Sequence, residues 1–413
     1  MVLALLAFAG GVTASAQHEV MLYAFGGSTK NDGSLPYSGL VADGAGNLYG
    51  TTLDGGFETG IVYELSPPVV PGSGWIETVL FRFGVSNGDD PYATLIIDAA
   101  GNLYGTTAFG GGSPNCQAGC GLVYELSPPG ATGGEWTETV LYSFSGQDGA
   151  EPYAGVIFDQ AGNLYGATRM GGENGSGVIY ELSPPSPPGG PWSEQSLYNF
   201  AGQADGGDPL GTLVFDTAGN LYGTTLAGGA YASGTVFQLS PLGGGQYSEN
   251  VLHSFGDALD GFNAVAGLVR TKSGVLAGTT QEGGAHAVGN AFALTPPVQQ
   301  GGEWVYTVLH DFGSSKSDGA NPVAGLTVGN RVLYGTTLQG GQNDPVGTVY
   351  ELMPRNGSWV EKILYEFGPN GVAPGSGVLI HDGALFGTTS EGGASNDGAV
   401  YELLLPGVPE SPQ

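Results

Sequence analysis

One phrase recurs seven times along this chain, and it constrains the fold more than any single residue. Its clearest form is Gly-Asn-Leu-Tyr-Gly-Thr-Thr, with the second glycine at Gly50, Gly105, Gly166, Gly223, Gly278, Gly335 and Gly387. The anchors lie 55, 61, 57, 55, 57 and 52 residues apart. A period of roughly 40–60 residues, each unit reading as several short strands, is the signature of a β-propeller blade. Seven units therefore predict seven blades. A propeller is a scaffold that hosts unrelated activities, so the repeat alone assigns no function.

The third unit reads most cleanly. Tyr153–Asp159 is a first strand, Asn163–Thr168 a second, Gly177–Leu182 a third and Glu194–Phe200 a fourth. β-branched and aromatic residues fill these runs, while Gly, Pro, Asn and Asp separate them. The seventh unit stops after Ala399–Leu403, one strand short. The missing strand stands at the other end, where Glu19–Phe25 aligns with Glu77–Phe83. The all-β reading is thus a seven-bladed propeller of four-stranded antiparallel blades over residues 17–405, whose ring is closed by the N-terminal strand. Such closure hides two open sheet edges.

Ahead of the ring, Val2–Ala9 is a short apolar run followed by Ala14-Ser15-Ala16. That is the hydrophobic region and cleavage site of a secretory leader, without the usual basic start. Residues 1–16 are expected to be removed, leaving a mature chain from Gln17 that is secreted or held in the envelope or periplasm. The run is too short to span a bilayer. Residues 406–413 are expected to be a short disordered tail. The formal charge of −29, from 38 acids against 9 bases, repels nucleic acid and anionic membranes. A monomer is expected. The only cysteines, Cys116 and Cys120, sit close together in one loop, Cys-Gln-Ala-Gly-Cys. An exported protein would join them in a disulfide; free thiols are the alternative, and a metal site lacks neighbouring ligands.

The phrase above, the Gly-Gly that follows it and the Val-Tyr-Glu-Leu-Ser-Pro segment together resemble the GloVer tandem-repeat family of exported bacterial proteins. The resemblance covers residues 17–405 and implies a surface or secreted protein, with no established activity to carry over. Val408-Pro409-Glu410-Ser411-Pro412 resembles the opening of a Pro-Glu-Pro sorting signal, though no basic tail or apolar span follows.

Function is sought where the sevenfold pattern breaks. The loops from strand four to strand one, and from strand two to strand three, emerge on one face. Just after the proline of an Asp-Gly-x-x-Pro loop, units one to three carry Tyr37, Tyr92 and Tyr153, where later units have Leu210 and Val323. Asp89, Asp90 and Glu151 lie beside them. Aromatic faces next to hydrogen-bonding groups suit a carbohydrate, and a protein partner is the other expected ligand. The bland alternative is that the tyrosines plug the channel mouth. Asp32, Asp148 and Asp318 of the Asp-Gly loops read as turn formers, with weak Ca²⁺ ligation as the functional alternative. Arg169 and His286 are scarce side chains on the same face, and with a tyrosine they suit a lyase; Asp90 and Glu151 suit a glycosidase. No hydrolase, metalloprotease or phosphate-loop motif is present, so the balance falls on a non-catalytic binding module without cofactor, with an enzyme or a passive envelope spacer as rivals. Trp75, Trp136, Trp192, Trp304 and Trp359 are expected to cap blade edges rather than stack on sugars.

Overall fold

The computed structural model describes residues 19–405, apart from the short stretches 28–30, 56–58, 71–72, 132, 188, 257–258, 300, 343–345 and 369–370. The leader at 1–16 and the tail at 406–413 lie outside the described residues. Seven four-stranded antiparallel sheets follow one another around a ring. Blade three shows the unit: Ile157–Phe158, Leu164–Thr168, Val178–Ser183 and Ser193–Asn199 pair in chain order. In blade seven, Leu379–His381, Ala384–Thr389 and Ala399–Leu404 are completed by Glu19–Ala24, which pairs antiparallel with Ala399–Leu404. The ring is therefore closed by its two ends, as the unpaired seventh repeat predicts.

The innermost strand is shorter than its sequence suggests, because Tyr153–Val156 leaves the ladder to face the neighbouring blades. There the chains of successive blades touch. A Cβ on Gly155 would lie 3.1 Å from the Thr94 carbonyl oxygen, one on Gly267 2.6 Å from that of Thr212, and one on Gly377 2.9 Å from that of Gly325. Small residues at this position let seven chains converge around one axis.

The hydrophobic core is divided into seven clusters, each shared by two adjacent blades. At every junction a buried phenylalanine ends the fourth strand and meets an aromatic ring of the next blade's third strand. The pairs are Phe25–Tyr63, Phe83–Tyr124, Phe144–Tyr180, Phe200–Phe237, Phe255–Phe292, Phe312–Tyr350 and Phe367–Tyr401, with centroids 5.0–5.3 Å apart. Six of these are edge-to-face and Phe312–Tyr350 is tilted, arrangements that favour packing beyond area burial alone. A β-bulge at Leu22, Leu80, Leu141, Leu197, Leu252, Leu309 and Leu364 displaces one leucine from each outer ladder. It adds twist and aims that side chain into the core. The tryptophans are half-buried against neighbouring blades, Trp136 beside Tyr49 and Trp304 beside Tyr222, as edge-capping requires.

Polar groups join the blades as well. The first threonine of the repeated phrase donates to the incoming loop of the next blade: Thr51 to Pro91, Thr106 to Ala154, Thr224 to Ala266, Thr279 to Ala324, Thr336 to Ser376 and Thr388 to Ser38. Blade three has Ala167 at this place. Among the described residues no helix is long and apolar enough to cross a membrane.

Candidate functional site

The two loop sets expected to share a face do so, because they pair with each other in every blade. Single bridges join Ser34 to Asp54, Asp89 to Phe109, Ala150 to Met170, Gly207 to Ala227 and Phe262 to Glu282. Short ladders do the same for Gly319–Ala320 with Gln339–Gly340 and for Gly371–Val372 with Glu391–Gly392. This pairing drives one residue per blade into the left-handed region: Leu35, Asp90, Glu151, Asp208, Asn263, Asn321 and Ala373, with φ of 55–59°. Their carbonyls accept from Leu53, Ala108, Arg169, Leu226, Gln281, Leu338 and Ser390 respectively. A non-glycine residue in this region is strained, and here the hydrogen bonds hold it there. Asp90 and Glu151 are therefore two members of a sevenfold ring, which the sequence did not disclose.

Two positions further on stand the residues that distinguish the blades: Tyr37, Tyr92, Tyr153, Leu210, Val265, Val323 and Gly375. The three tyrosines touch in a continuous arc, Tyr37 to Tyr92 at 5.9 Å and Tyr92 to Tyr153 at 5.0 Å between centroids, tilted by 46° and 59°. Phe109 meets Tyr153 edge-on at 6.2 Å, and the Arg169 guanidinium lies 5.9 Å from the Tyr153 centroid. At the other end, Tyr37 leans over Gly375, where a Cβ would come within 2.7 Å of its ring. Each tyrosine is only partly buried.

The charged residues divide. Arg169 pairs with Glu151 at 3.2 Å. Burial, then Asp89 and Asp54, pushes the Asp90 carboxyl up to about 6. Burial also raises Asp89, and burial with Asp90 raises the Tyr92 phenol to about 12. Asp90 thus holds a proton closer to neutrality than an ordinary aspartate does. His286 stands elsewhere. It is exposed on a cleft of about 400 Å³ between blades five and six, with Lys316, Asp318 and Gln342. The structure does not bring it together with Arg169 or with the tyrosine arc.

The Asp-Gly aspartates are occupied within their own blades. Asp148 accepts from the Tyr142 hydroxyl at 2.6 Å and the Ser145 amide at 2.7 Å, and Asp260 from the Gly256 amide at 3.0 Å. This is the turn chemistry expected of them. Cys116 and Cys120 form the disulfide. Its loop supports the site indirectly, since the Cys120 carbonyl accepts the Glu151 amide at 3.0 Å.

The chain belongs to the Gloeobacter/Verrucomicrobia repeat family, whose pattern matches residues 113–327 and 298–408. It is a tandem-repeat propeller of that family. No curated protein matches it. Among solved structures, it is similar to PorZ, an essential bacterial surface component of the type-IX secretion system of Porphyromonas gingivalis. That similarity is 15% in identity with a TM-score of 0.50, over 93% of this chain and 48% of that one. The chain thus spans about half the length of PorZ. It is also similar to a polysaccharide lyase of family PL25, an ulvan lyase bound to -[GlcA(1-4)Rha3S]-, at 13% identity and a TM-score of 0.52, over 94% of this chain and 96% of that one. At such identities the likeness is one of fold.

Proposed function

We propose that the protein is a binding module whose ligand is a neutral glycan, held on the arc of Tyr37, Tyr92 and Tyr153. The observation that carries this reading is the continuity of the arc. Three partly exposed rings touch in sequence on three adjacent blades, and Gly375 on a fourth makes room for the first. Sugar rings stack on such faces through their C–H edges, while Asp89, Asp90 and the Arg169–Glu151 pair offer partners to hydroxyls. The acids beside the arc oppose a uronate or sulfated ligand, so the saccharide named for the similarly folded lyase is not the one proposed here.

Catalysis on the same saccharide is a second reading, favoured by one observation. Asp90, raised to about 6, holds its proton closer to neutrality than an ordinary aspartate, as a general acid must. One experiment separates these readings. The chain from Gln17 is screened on a glycan array and then assayed for turnover of any hit, beside a Tyr92→Ala/Tyr153→Ala double variant. Retention of a neutral glycan without turnover, lost in the double variant at an unchanged melting temperature, is the expected result. Turnover abolished by Asp90→Asn would establish the enzyme. A blank array, or retention indifferent to the tyrosines, overturns the glycan reading and leaves a protein partner or a spacer.

A further inference from the structure

Five of the junctions between blades share one polar arrangement. A residue near the end of the fourth strand, a residue of the following loop and a residue of the next blade's fourth strand come together at the rim. At the junction of blades two and three these are Tyr142, Asp148 and Glu194; at blades three and four, Tyr198, Asp205 and Glu249; at blades seven and one, Tyr23, Asp32 and Glu77. Blades four and five keep His253 and Asp260 but place Tyr306 third, stacked on the imidazole at 4.2 Å. Among the described residues, only the junction of blades five and six holds an imidazole and two carboxylates at these places, His310, Asp318 and Glu361.

His310 Nε2 lies 3.1 and 3.3 Å from the two Asp318 oxygens and 3.6 Å from Glu361 Oε2. Donors bound at about 2.0–2.2 Å to one tetrahedral ion stand about 3.3–3.6 Å apart; the three ligand atoms already lie within 4.8 Å of one another, so modest side-chain adjustment would bring them to one ion. Asp318 is 5% exposed, and its Oδ2 is oriented by the Ser314 hydroxyl at 2.7 Å and amide at 2.8 Å. Glu361 Oε1 is buried without a hydrogen-bond partner, as are Glu138 Oε1 and Glu249 Oε1 at the same place of other junctions, so what sets this junction apart is the imidazole beside the two carboxylates. The cleft lined by His286 and Lys316 reaches the trio at Asp318, and the His310 and Glu361 side chains are 18% and 11% exposed.

We propose that the junction of blades five and six is a binding site for a single divalent transition-metal ion of the zinc type, ligated by His310, Asp318 and Glu361. One nitrogen and carboxylate oxygens suit zinc and its neighbours better than calcium, which takes six or more oxygens. The ion would tie the outer strand Val305–Asp311 of blade five to Ser358–Glu366 of blade six. It would replace by ligation what a tyrosine hydroxyl does at other junctions.

The test is a titration of the tag-free, chelator-stripped chain with Zn²⁺ by calorimetry and with Co²⁺ by visible absorption. His310→Tyr and Glu361→Tyr each install the residue another junction already carries, so both should fold, as circular dichroism would confirm. One ion per chain is expected, weakened about 100-fold or more in both variants, beyond the loss usual for an outer-shell change. The control His253→Tyr should bind as the parent does. Absence of stoichiometric binding, or binding that survives His310→Tyr and Glu361→Tyr, overturns the proposal and leaves a protonated histidine bridging two acids.

Discussion

Gly105 shows how a single residue can be read in the sequence and understood only in the structure. It faces Tyr124 across the ladder, and a Cβ there would lie 2.5 Å from the hydroxyl and 2.7 Å from Cζ. The glycine is a socket for a buried ring. That hydroxyl finds no partner, and Phe237 and Phe292 fill the same socket in blades four and five. Gly105→Ala should therefore cost about 1–3 kcal/mol by overpacking, whereas Tyr124→Phe should stay within about 0.5 kcal/mol of the parent. Denaturant unfolding of the two variants checks both. The recurrence of Tyr-Gly was legible from the chain, but its cause was not, since the partner sits 19 residues away on the next strand. His310 is a similar case. Stacking the seven repeats would have shown two histidines, His253 and His310, in a column mostly of tyrosines. Recognising a ligand trio also needed Glu361, from the following blade, in the same place.

At the scale of the blade, the second strand carries the bond to its neighbour. Six blades use a threonine hydroxyl to reach the next inner loop, and blade three has Ala167 instead. Ala167→Thr would place a hydroxyl where six other blades have the donor. We expect a gain of about 0.5–1.5 kcal/mol, read as a shift in the unfolding midpoint at constant m-value. A loss would mean that the junction of blades three and four is packed differently from the rest. Strand existence and order were legible because hydrophobic alternation is a local signal. The two-residue length of the inner strand was not, because contacts between blades set it. The tyrosine arc was legible as three exceptions to a column, and its closure on Gly375 was not.

Over the whole molecule, acids dominate the polar chemistry, and they respond to pH in opposite directions. The turn aspartates Asp43, Asp98 and Asp216 are pushed up by burial but held below the usual range by hydrogen bonds from the following asparagine and backbone. Their stabilisation is present above the unfolded-chain value and is lost as pH falls through the folded one. Glu249 behaves inversely. Burial, then Asp205, raises it to about 7 from 4.5, so the folded state is favoured while it is neutral and loses ground as pH climbs between those values. Glu249→Gln should accordingly raise the melting temperature relative to the parent at pH 8, with the difference fading towards pH 4.5. An equal shift at both pH values would show that its charge is not what matters.

The ring of left-handed residues has an evolutionary corollary. At Leu35, Asp90, Glu151, Asp208, Asn263, Asn321 and Ala373 the fold uses the backbone carbonyl and conformation, and the side chains already range from alanine to glutamate. Structure is thus uncoupled from identity at seven points around one opening. A lineage can rewrite the chemistry of that opening one blade at a time without renegotiating the scaffold, and the tyrosines beside three of these points look like one draft of such rewriting.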